Sequence, residues 1–526
     1  MKDVNNYNIE QIDNNFHITL IRSPIVSVSG ALSVSSIVPP LSIAYLSASL
    51  RSNGFSTTNI DAVGEGIGNI SKVPQSAHME YQGLSIEGIL KRIHPSTKVL
   101  GVSCMFSLEW PFTRQIIKEI KRNFSDIKII AGGEHVTALP EFVLSDCKEI
   151  DIIVLGEGEE TIVDLATCLE RERNVEEVNG IVYRSGGKFT RTAPRDRIKK
   201  IDDICWPAWD LVPINTYLDL KLSHGPYRGR AMPILASRGC PYNCAFCSNA
   251  KMWHRSYIAR SPIDVVNEIK HYIDKYKIKC IEFYDLTPII KKSWIMEFCD
   301  LIIDNNLNFS WQISGGTRTE AIDEEVIVKV KKAGCQYLGF APESGSPAVL
   351  KQIRKRLNLQ RMVNLIKIAK KHKIATRTNF VIGFPNDTRL QIYQTLFFQM
   401  KLAFFGVLDS PIFEFTPYPG SEYFEFLLHK GVIPGLDDEY FESLGLNLQL
   451  KNKKSYCENV GTYELLIYRF MGMTVFYSIY YLFNPMKLLK FIKNLFWGNY
   501  SNSVFEQRII LNFKKRLLKL KYKNKS

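Results

Sequence analysis

The stretch ASRGCPYNCAFCSNA, residues 236–250, holds three cysteines within eight positions: Cys240, Cys244 and Cys247. Two thiolates spaced two residues apart can bind one metal ion, but a structural zinc site needs four ligands. No second pair of cysteines or histidines in the sequence completes such a set. An iron–sulfur cubane offers four irons, so three cysteine ligands leave one iron open to another molecule. The spacing therefore favours a cluster with an open iron over a zinc site or purely structural thiols.

The composition is that of a multidomain globular protein. The chain has 526 residues, 45% of them hydrophobic and 23% charged, and this length predicts two or three domains. The other eight of the 11 cysteines stand singly, mostly in apolar runs, as buried free thiols do. The N-terminal residues lack an apolar signal segment. We therefore expect a reducing, cytoplasmic setting.

The first third of the chain alternates short apolar runs with helical patterns. This alternation predicts an α/β fold, with a parallel, doubly wound sheet in residues 1–176. Glycines follow the predicted strands at Gly132, Gly133, Gly156 and Gly158. Ligands of such sheets bind beyond the carboxyl ends of the strands, where glycine permits close approach to the backbone. We therefore expect a ligand site at these strand ends.

A second alternation of strands and helices follows the first. Residues 177–231 contain a polar hairpin pattern and a segment rich in Pro and Trp, which predicts a connector. Six strand–helix units then fill residues 232–425, which predicts a partial barrel of parallel strands with its chemistry at the strand ends. We expect residues 426–526 to form a helical C-terminal region.

The net charge of +14 is concentrated in the tail, since residues 486–526 hold eleven Lys or Arg against Glu506 alone. A local acidic partner is therefore expected, rather than nucleic acid. Residues 470–483 carry no charge but fall short of the roughly 20 residues a spanning helix needs, which predicts a core helix. Residues 486–498 predict a basic amphipathic helix. Such a helix lies on a membrane surface or packs on the protein with a solvated lysine face.

The spacing of the three cysteines after a predicted barrel strand, with Phe246 before the last one, resembles the radical S-adenosylmethionine (SAM) superfamily. The resemblance implies a [4Fe-4S] cluster on Cys240, Cys244 and Cys247, with S-adenosylmethionine on the open iron. It also implies anaerobic chemistry, in which a one-electron reductant such as flavodoxin or ferredoxin drives cleavage of S-adenosylmethionine to methionine and an adenosyl radical.

Two further segments match the same superfamily. Residues 316–346 resemble the stretch from its third to its fourth barrel strand, and VIGFPNDT (381–388) resembles its fifth-strand motif. The resemblance implies contacts with S-adenosylmethionine from the cysteine-loop aromatic and the strand ends: Phe246, Arg318, Glu343, Ser344 and Gly383. A structural ion pair is the alternative role for Arg318. Many relatives place paired acidic residues after the second strand, whereas this chain has only Asp285 there.

Four segments of the first domain resemble, in order, the cobalamin-binding domain that precedes many radical SAM barrels. The resemblance implies that the corrin lies over three loops, with contacts from Ser103, Gly132, Gly133, His135, Thr137, Gly156, Glu157, Gly158 and Glu159. None of the nine histidines stands in the Asp-x-His-x-x-Gly motif that supplies a cobalt ligand in many cobalamin proteins. We therefore expect cobalamin without a protein histidine on cobalt. A structural turn role for His135 and a degenerate, empty domain are the alternatives.

Three hypotheses about the function are consistent with these features. The first is a cobalamin-dependent radical SAM enzyme that methylates an unactivated carbon of a small-molecule or lipid-like substrate, with oxidative cyclisation or ring rearrangement as alternative outcomes. The second is a methylthiotransferase-like enzyme acting on RNA or protein, but such relatives carry three further grouped cysteines in the first domain. The third is a cofactor sensor, which would not need Arg318 or Glu343. We expect the first, without nucleic acid and with peripheral membrane contact through the tail.

Overall fold

The computed structural model describes residues 16–29, 37–226, 228–445, 454–497, 503–510 and 513. Its strands are β1 (His17–Arg22), β2 (Ile25–Val28), β3 (Ser56–Asp61), β4 (Ile70–Lys72), β5 (Met79–Gln82), β6 (Thr97–Ser103), β7 (Lys128–Gly132), β8 (Ile152–Val154), β9 (Ile181–Ser185), β10 (Lys188–Arg191), β11 (Ala231–Ile234), β12 (Ser237–Arg238), β13 (Ile258–Ala259), β14 (Cys280–Phe283), β15 (Ser310–Thr317), β16 (Cys335–Glu343), β17 (Ala375–Ile382) and β18 (Ile412–Glu414). Its α-helices are α1 (Leu41–Ser52), α2 (Ala62–Glu65), α3 (Ile86–Leu90), α4 (Trp110–Asn123), α5 (Glu134–Ala138), α6 (Pro140–Asp146), α7 (Glu159–Glu170), α8 (Ile214–Asp219), α9 (Asn249–Trp253), α10 (Pro262–Tyr276), α11 (Lys292–Asp304), α12 (Glu324–Lys332), α13 (Pro347–Gln352), α14 (Leu359–Lys371), α15 (Arg389–Phe404), α16 (Glu422–His429), α17 (Asp438–Ser443), α18 (Thr462–Leu482) and α19 (Pro485–Phe496).

The first sheet has seven strands in the order β10-β9-β8-β7-β6-β1-β3. Strands β8, β7, β6, β1 and β3 are parallel, because helices connect them, and the central residues are mostly apolar and buried except in the polar edge strand β3. The doubly wound α/β fold is confirmed. The sheet also runs past residue 176, where we expected it to end, because the hairpin of β9 and β10 adds two antiparallel strands at the edge.

The second sheet has six parallel strands in the order β11-β14-β15-β16-β17-β18. It forms the predicted partial barrel, since β11 and β18 remain unpaired with each other. Two segments that are not part of the strand–helix units contact this barrel. The backbone N–H of His224 donates to Glu282 on β14 at 2.9 Å. The carboxylate of Asp409 accepts hydrogen bonds from Ser503 and from the backbone of Val504, which ties the helical residues 504–510 to the start of β18.

Helix α18 packs against α15 and β18 and covers the flank of the barrel. The stretch 470–483, predicted as a short core helix, is the second part of this helix, which has 21 residues. Gly472 allows the close approach, because a Cβ built there would lie 2.5 Å from Ile412 Cδ1 and 2.7 Å from Leu396 Cδ2. The inner face of α18 is therefore buried, while its opposite face is exposed.

Replacing Gly472 with Val is expected to lower the free energy of unfolding by about 1–3 kcal/mol, because the new methyl groups overpack the contact with Ile412 and Leu396. Urea denaturation measures the change. Thr474→Val introduces the same residue at an exposed position of the same helix, and it should change stability by less than about 0.5 kcal/mol. Equal effects of the two substitutions would contradict close packing at Gly472.

Candidate active site

The three cysteines lie in a loop between β12 and α9, and we refer to Cys240, Cys244 and Cys247 as the cysteine triad. A left-handed turn at Gly239 begins the loop, where a Cβ would lie 1.9 Å from the Ser256 carbonyl oxygen, so only glycine fits. All three thiols are free and half-buried. The side chain of Asn249 donates to the Cys240 carbonyl at 3.0 Å and closes the loop.

The surroundings of the cysteine triad fit a multi-iron cluster. Burial raises the pKa of each thiol, to about 12 for Cys247, whereas the positive charges of Arg318 and Lys355 act in the opposite direction on Cys240 and Cys244. Within the described part of the chain, no three His, Cys, Asp or Glu side chains are grouped as ligands of a single metal ion. Cubane ligands each bind a different iron, so the triad fits a cluster better than a zinc site.

Arg318 lies against the cysteine loop. Its guanidinium carbon is 3.8 Å from the ring centroid of Tyr242, which stands between the first two cysteines. The same group donates to Glu320 at 2.8 Å and to the Arg356 carbonyl at 2.7 Å. Arg318 is therefore near the site expected from the sequence, and it also makes the structural ion pair that was the alternative role.

Glu343 ends β16 and pairs with a cation that the sequence analysis missed. Its carboxylate accepts from Lys355 Nζ at 2.7 Å, and both side chains are buried. The backbone of Glu343 has a φ of +63°, a left-handed value that is uncommon outside glycine and is often found at ligand sites. Lys355 stands in the basic stretch KQIRKR, which resembles an ordinary solvated surface.

The other residues predicted to contact S-adenosylmethionine lie at neighbouring strand ends. Ser344 Oγ is 2.8 Å from Thr395 Oγ1, so this serine joins the end of β16 to α15. The N–H of Gly383 donates to Asp387 at 2.9 Å, and its φ of +80° explains the glycine. Phe246 packs on Phe384, with ring centroids 5.6 Å apart. The cysteine loop and the fifth-strand motif therefore form one surface.

Asp285, the single acidic residue after the second barrel strand, is turned toward the preceding loop. Its carboxylate accepts from the backbone N–H of Ala236 at 3.1 Å and from the hydroxyl of Ser237. Burial raises its pKa to about 6. Asp285 therefore supports the short segment that leads into the cysteine triad.

The barrel interior is polar. Phe283 and Trp311 pack on α11, so their neighbours Glu282 and Gln312 point to the opposite face, into the barrel. Both are buried, and among the described residues neither amide atom of Gln312 has a hydrogen-bond partner. Burial raises the pKa of Glu282 to about 7. A buried amide without partners costs about 1–3 kcal/mol. The segment of His224 and Gly225 fills this part of the barrel, because His224 donates to Glu282 and a Cβ at Gly225 would lie 2.5 Å from Gln312 Nε2.

The carboxyl ends of β6, β7 and β8 carry the loops predicted to hold a second cofactor. Ser103 Oγ is 3.1 Å from Ser42 Oγ, and Thr137 Oγ1 accepts from the N–H of Gly156 at 3.1 Å. A Cβ at Gly132 or Gly156 would have its nearest neighbour at 3.9 Å or 3.7 Å, which is an ordinary contact, so close packing does not require glycine at either position. Their place at the strand ends fits the ligand site expected from the sequence.

Two other glycines of these loops have packing roles. Gly133 has a φ of +119°, and a Cβ there would lie 2.6 Å from the Cys104 carbonyl oxygen. Gly158 precedes α7, and a Cβ there would lie 3.0 Å from Leu46 Cδ2. Gly133 therefore allows the tight turn after β7, whereas Gly158 leaves room for the side chain of Leu46.

His135 is buried beneath these loops. Its Nδ1 lies 2.9 Å from Ser107 Oγ, and its ring packs between Trp110 and Phe441. Burial lowers its pKa to about 3, so the ring is neutral at physiological pH. This environment is that of a core histidine, the alternative that the sequence left open.

Glu157 and Glu159 form ion pairs with the other domain. Arg238, two residues before Cys240, donates to Glu157 at 3.1 Å and to Glu159 at 2.5 Å. Arg197 donates to Glu157 at 2.6 Å from the opposite side. All but Arg197 are buried, and we refer to these four side chains as the interdomain ion-pair network. Both glutamates, predicted as cofactor contacts, therefore bind arginines.

A second contact joins the two cofactor loops directly. The hydroxyl of Ser248, the residue after Cys247, donates to the carboxylate of Glu134, which follows Gly133. Burial raises the pKa of Glu134. The loop after β7 and the cysteine loop therefore touch, and the two predicted cofactor sites face each other across the domain boundary.

Comparison with known families agrees with this geometry. Residues 29–166 match the B12 binding domain, and residues 234–398 match the Radical SAM superfamily. The chain therefore carries a B12-binding domain followed by a radical SAM domain. The first domain implies cobalamin, and the second implies a [4Fe-4S] cluster and S-adenosylmethionine.

Several proteins are similar over most of their length. An uncharacterized methyltransferase of Pyrococcus horikoshii is 29% identical over 79% of this chain and 84% of its own. The anaerobic magnesium-protoporphyrin IX monomethyl ester cyclase of Rubrivivax gelatinosus is 27% identical over 76% of this chain and 68% of its own. The cytidylyl-2-hydroxyethylphosphonate methyltransferase of Streptomyces wedmorensis is 26% identical over 75% and 78%, respectively.

Solved structures share the fold. The radical S-adenosylmethionine methyltransferase TsrM of Kitasatospora setae, solved with cobalamin and a [4Fe-4S] cluster, has a TM-score of 0.59 at 15% identity and covers 79% of this chain and 75% of its own. The cobalamin-dependent S-adenosylmethionine radical enzyme OxsB has a TM-score of 0.60 at 19% identity and covers 81% of this chain and 56% of its own.

Arg238→Met is expected to lower the free energy of unfolding by about 3–5 kcal/mol, because it leaves buried Glu159 without a cation. Chemical denaturation of the purified protein measures this change. Arg195→Met is the matched control, since its partners Asp164 and Glu160 are exposed, and it should cost no more than about 1 kcal/mol. An Arg238 effect as small as the control would show that the interdomain network does not hold the domains together.

Proposed function

We propose that this protein is a cobalamin-dependent radical SAM enzyme that methylates an unactivated carbon of a small-molecule or lipid-like substrate. The observation that carries the proposal is the contact between Ser248 and Glu134, because it joins the cysteine loop to a loop of the B12-binding domain. Two similar proteins are named methyltransferases, which supports methyl transfer. The similar cyclase makes oxidative cyclisation the alternative outcome.

The chain's own residues have separable tasks in this proposal. The cysteine triad holds the cluster, while Arg318 and Lys355 place positive charge beside it and favour thiolates. Glu343 and Gly383 at the strand ends stand ready to position S-adenosylmethionine. When bound, the cluster and S-adenosylmethionine supply an adenosyl radical, and cobalamin supplies the methyl group.

Two partners complete the proposal. A one-electron reductant such as flavodoxin or ferredoxin supplies electrons to the cluster. The basic C-terminal tail contacts an anionic membrane surface from the cytoplasmic side, although most of the tail beyond residue 497 lies outside the described residues. We do not assign a nucleic-acid partner, since the basic residues concentrate in this tail.

Replacing any one member of the cysteine triad with Ala is expected to abolish reductive cleavage of S-adenosylmethionine, because each thiolate binds a separate iron of the cluster. Formation of 5′-deoxyadenosine by the anaerobically reconstituted protein is the measurement. Cys205→Ala is the control, since this thiol is also free and half-buried but lies outside the loop, and it should retain normal cleavage. Normal cleavage by any triad variant would refute the ligand assignment.

Protein supplied with hydroxocobalamin is expected to retain it through gel filtration. In the cobalt(II) state, the electron paramagnetic resonance spectrum should lack splitting from a histidine nitrogen, because His135 is buried between aromatic rings. Histidine splitting would disprove the predicted coordination, and loss of all corrin would disprove cobalamin binding. Gly132→Val offers a second check, because its side chain would project at the strand edge proposed for the corrin without a positive φ to strain it, and it should weaken retention.

A further inference from the structure

Exposed apolar side chains concentrate on one flank of the barrel. Among the described residues, 14 of the 22 exposed large hydrophobic side chains belong to α15, α18 and α19 or directly follow α18 or α19. Those with the greatest exposure include Phe397 at 67%, Phe470 at 69% and Trp497 at 80%. Single exposed apolar residues are ordinary, but a concentration of this kind marks an interaction surface.

The exposed residues of α15 and α18 share one side of the molecule. The two helices run parallel, since Arg389 bonds Glu464 at their starts and the rings of Phe404 and Phe483 lie 5.1 Å apart at their ends. Their inner faces pack on the barrel strands, so their outer faces point away together. We call this outer surface the docking face: Leu390, Tyr393, Phe397 and Phe404 from α15, and Tyr463, Ile467, Phe470, Leu482 and Phe483 from α18 and its end.

Helix α19 extends the same surface. None of its residues is buried, and its exposed apolar residues are Met486, Leu489, Ile492 and Phe496. Lys490 and Lys493 alternate with them and are also exposed. The rings of Tyr481 and Phe491 lie 6.1 Å apart, so α19 remains in contact with the end of α18.

The charge of the three helices identifies the partner. Of their six basic residues, Arg389 binds Glu464, the one acidic residue of these helices, and Arg469 binds buried Glu414 on β18, while the other four are lysines. An anionic bilayer matches such a surface, because lipid headgroups pair with lysines while aromatic and aliphatic side chains enter the interface. A second copy of the chain fits less well, because a symmetric contact would bring like charges together.

We infer that the docking face binds an anionic membrane, so that this flank of the barrel lies against the bilayer. This inference goes beyond the proposed tail contact, because it places the contact on α15, a helix of the catalytic domain. Helix α18 has the length and composition to cross a membrane, but its inner face is occupied by α15 and β18. It therefore lies along the surface, and the barrel is held beside the bilayer rather than tethered to it by a flexible tail.

Flotation of the full-length holoenzyme with phosphatidylcholine vesicles, with and without phosphatidylserine, tests this inference. Wild type should float with the anionic vesicles and be released by salt. Leu390→Gln/Phe397→Gln on α15 should weaken binding by about tenfold or more, because two inserted side chains lose apolar burial. Phe189→Gln/Ile263→Gln changes two exposed apolar residues elsewhere and should bind as wild type does.

Deletion of residues 514–526 distinguishes the contribution of the tail to membrane binding from that of the docking face. It removes seven basic residues and keeps the segment that binds Asp409. Weaker flotation of this deletion with unchanged flotation of the α15 variant would overturn the docking face and leave the tail contact. The reverse result would support the face and overturn the tail contact. A wild-type dimer that does not float, and that the α15 variant dissociates, would overturn membrane docking in favour of a second copy.

Discussion

The buried contact of Arg238 with Glu157 and Glu159 is the interaction on which the arrangement of the two domains depends. Removing three charges from water is costly, and such a group persists only when its members pair with good geometry. Here Arg238 satisfies both glutamates, and Arg197 adds a second cation to Glu157. Because Arg238 stands two residues before Cys240, the network fixes the cysteine loop relative to the carboxyl end of β8. The strand ends of both sheets therefore meet, and chemistry that needs two large cofactors can take place between them.

Local pattern was enough to predict the elements and the cluster. Continuous apolar runs gave the parallel strands of both sheets, and the three closely spaced thiols indicated an open iron–sulfur site. The sequence could not predict which charged side chains form ion pairs when the two residues are far apart in the chain. Glu157 and Glu159 follow a strand at a position where cofactor contacts are expected, but their partner, Arg238, is about 80 residues further along the chain. Lys355 had the appearance of a surface lysine, although it is buried against Glu343. His135 likewise lies in a promising loop, yet Phe441, from the C-terminal region, helps to enclose it.

The C-terminal region shows the same division between local and distant information. Its amphipathic pattern at residues 486–498 is visible in the sequence and is present as α19. The longer helix α18 was underestimated, because Glu464 and Arg469 interrupt its apolar run; both charges are paired, with Arg389 and Glu414. Only the fold reveals that α18 takes the position of an outer barrel helix beside α15. That placement leaves an exposed apolar surface on the catalytic domain itself. It also packs Leu465 of α18 against Gly383, so the helix that carries the docking face contacts the fifth-strand motif directly.

The cluster and cobalamin are proposed to occupy facing sites across one domain boundary. Pulsed electron paramagnetic resonance on anaerobic protein, with the cluster reduced and cobalamin in the cobalt(II) state, measures the magnetic interaction between the two centres. The contact between Ser248 and Glu134 predicts strong dipolar coupling between them. Two independent signals, each unchanged when the other centre is present, would contradict the facing arrangement and with it the proposed methyl transfer.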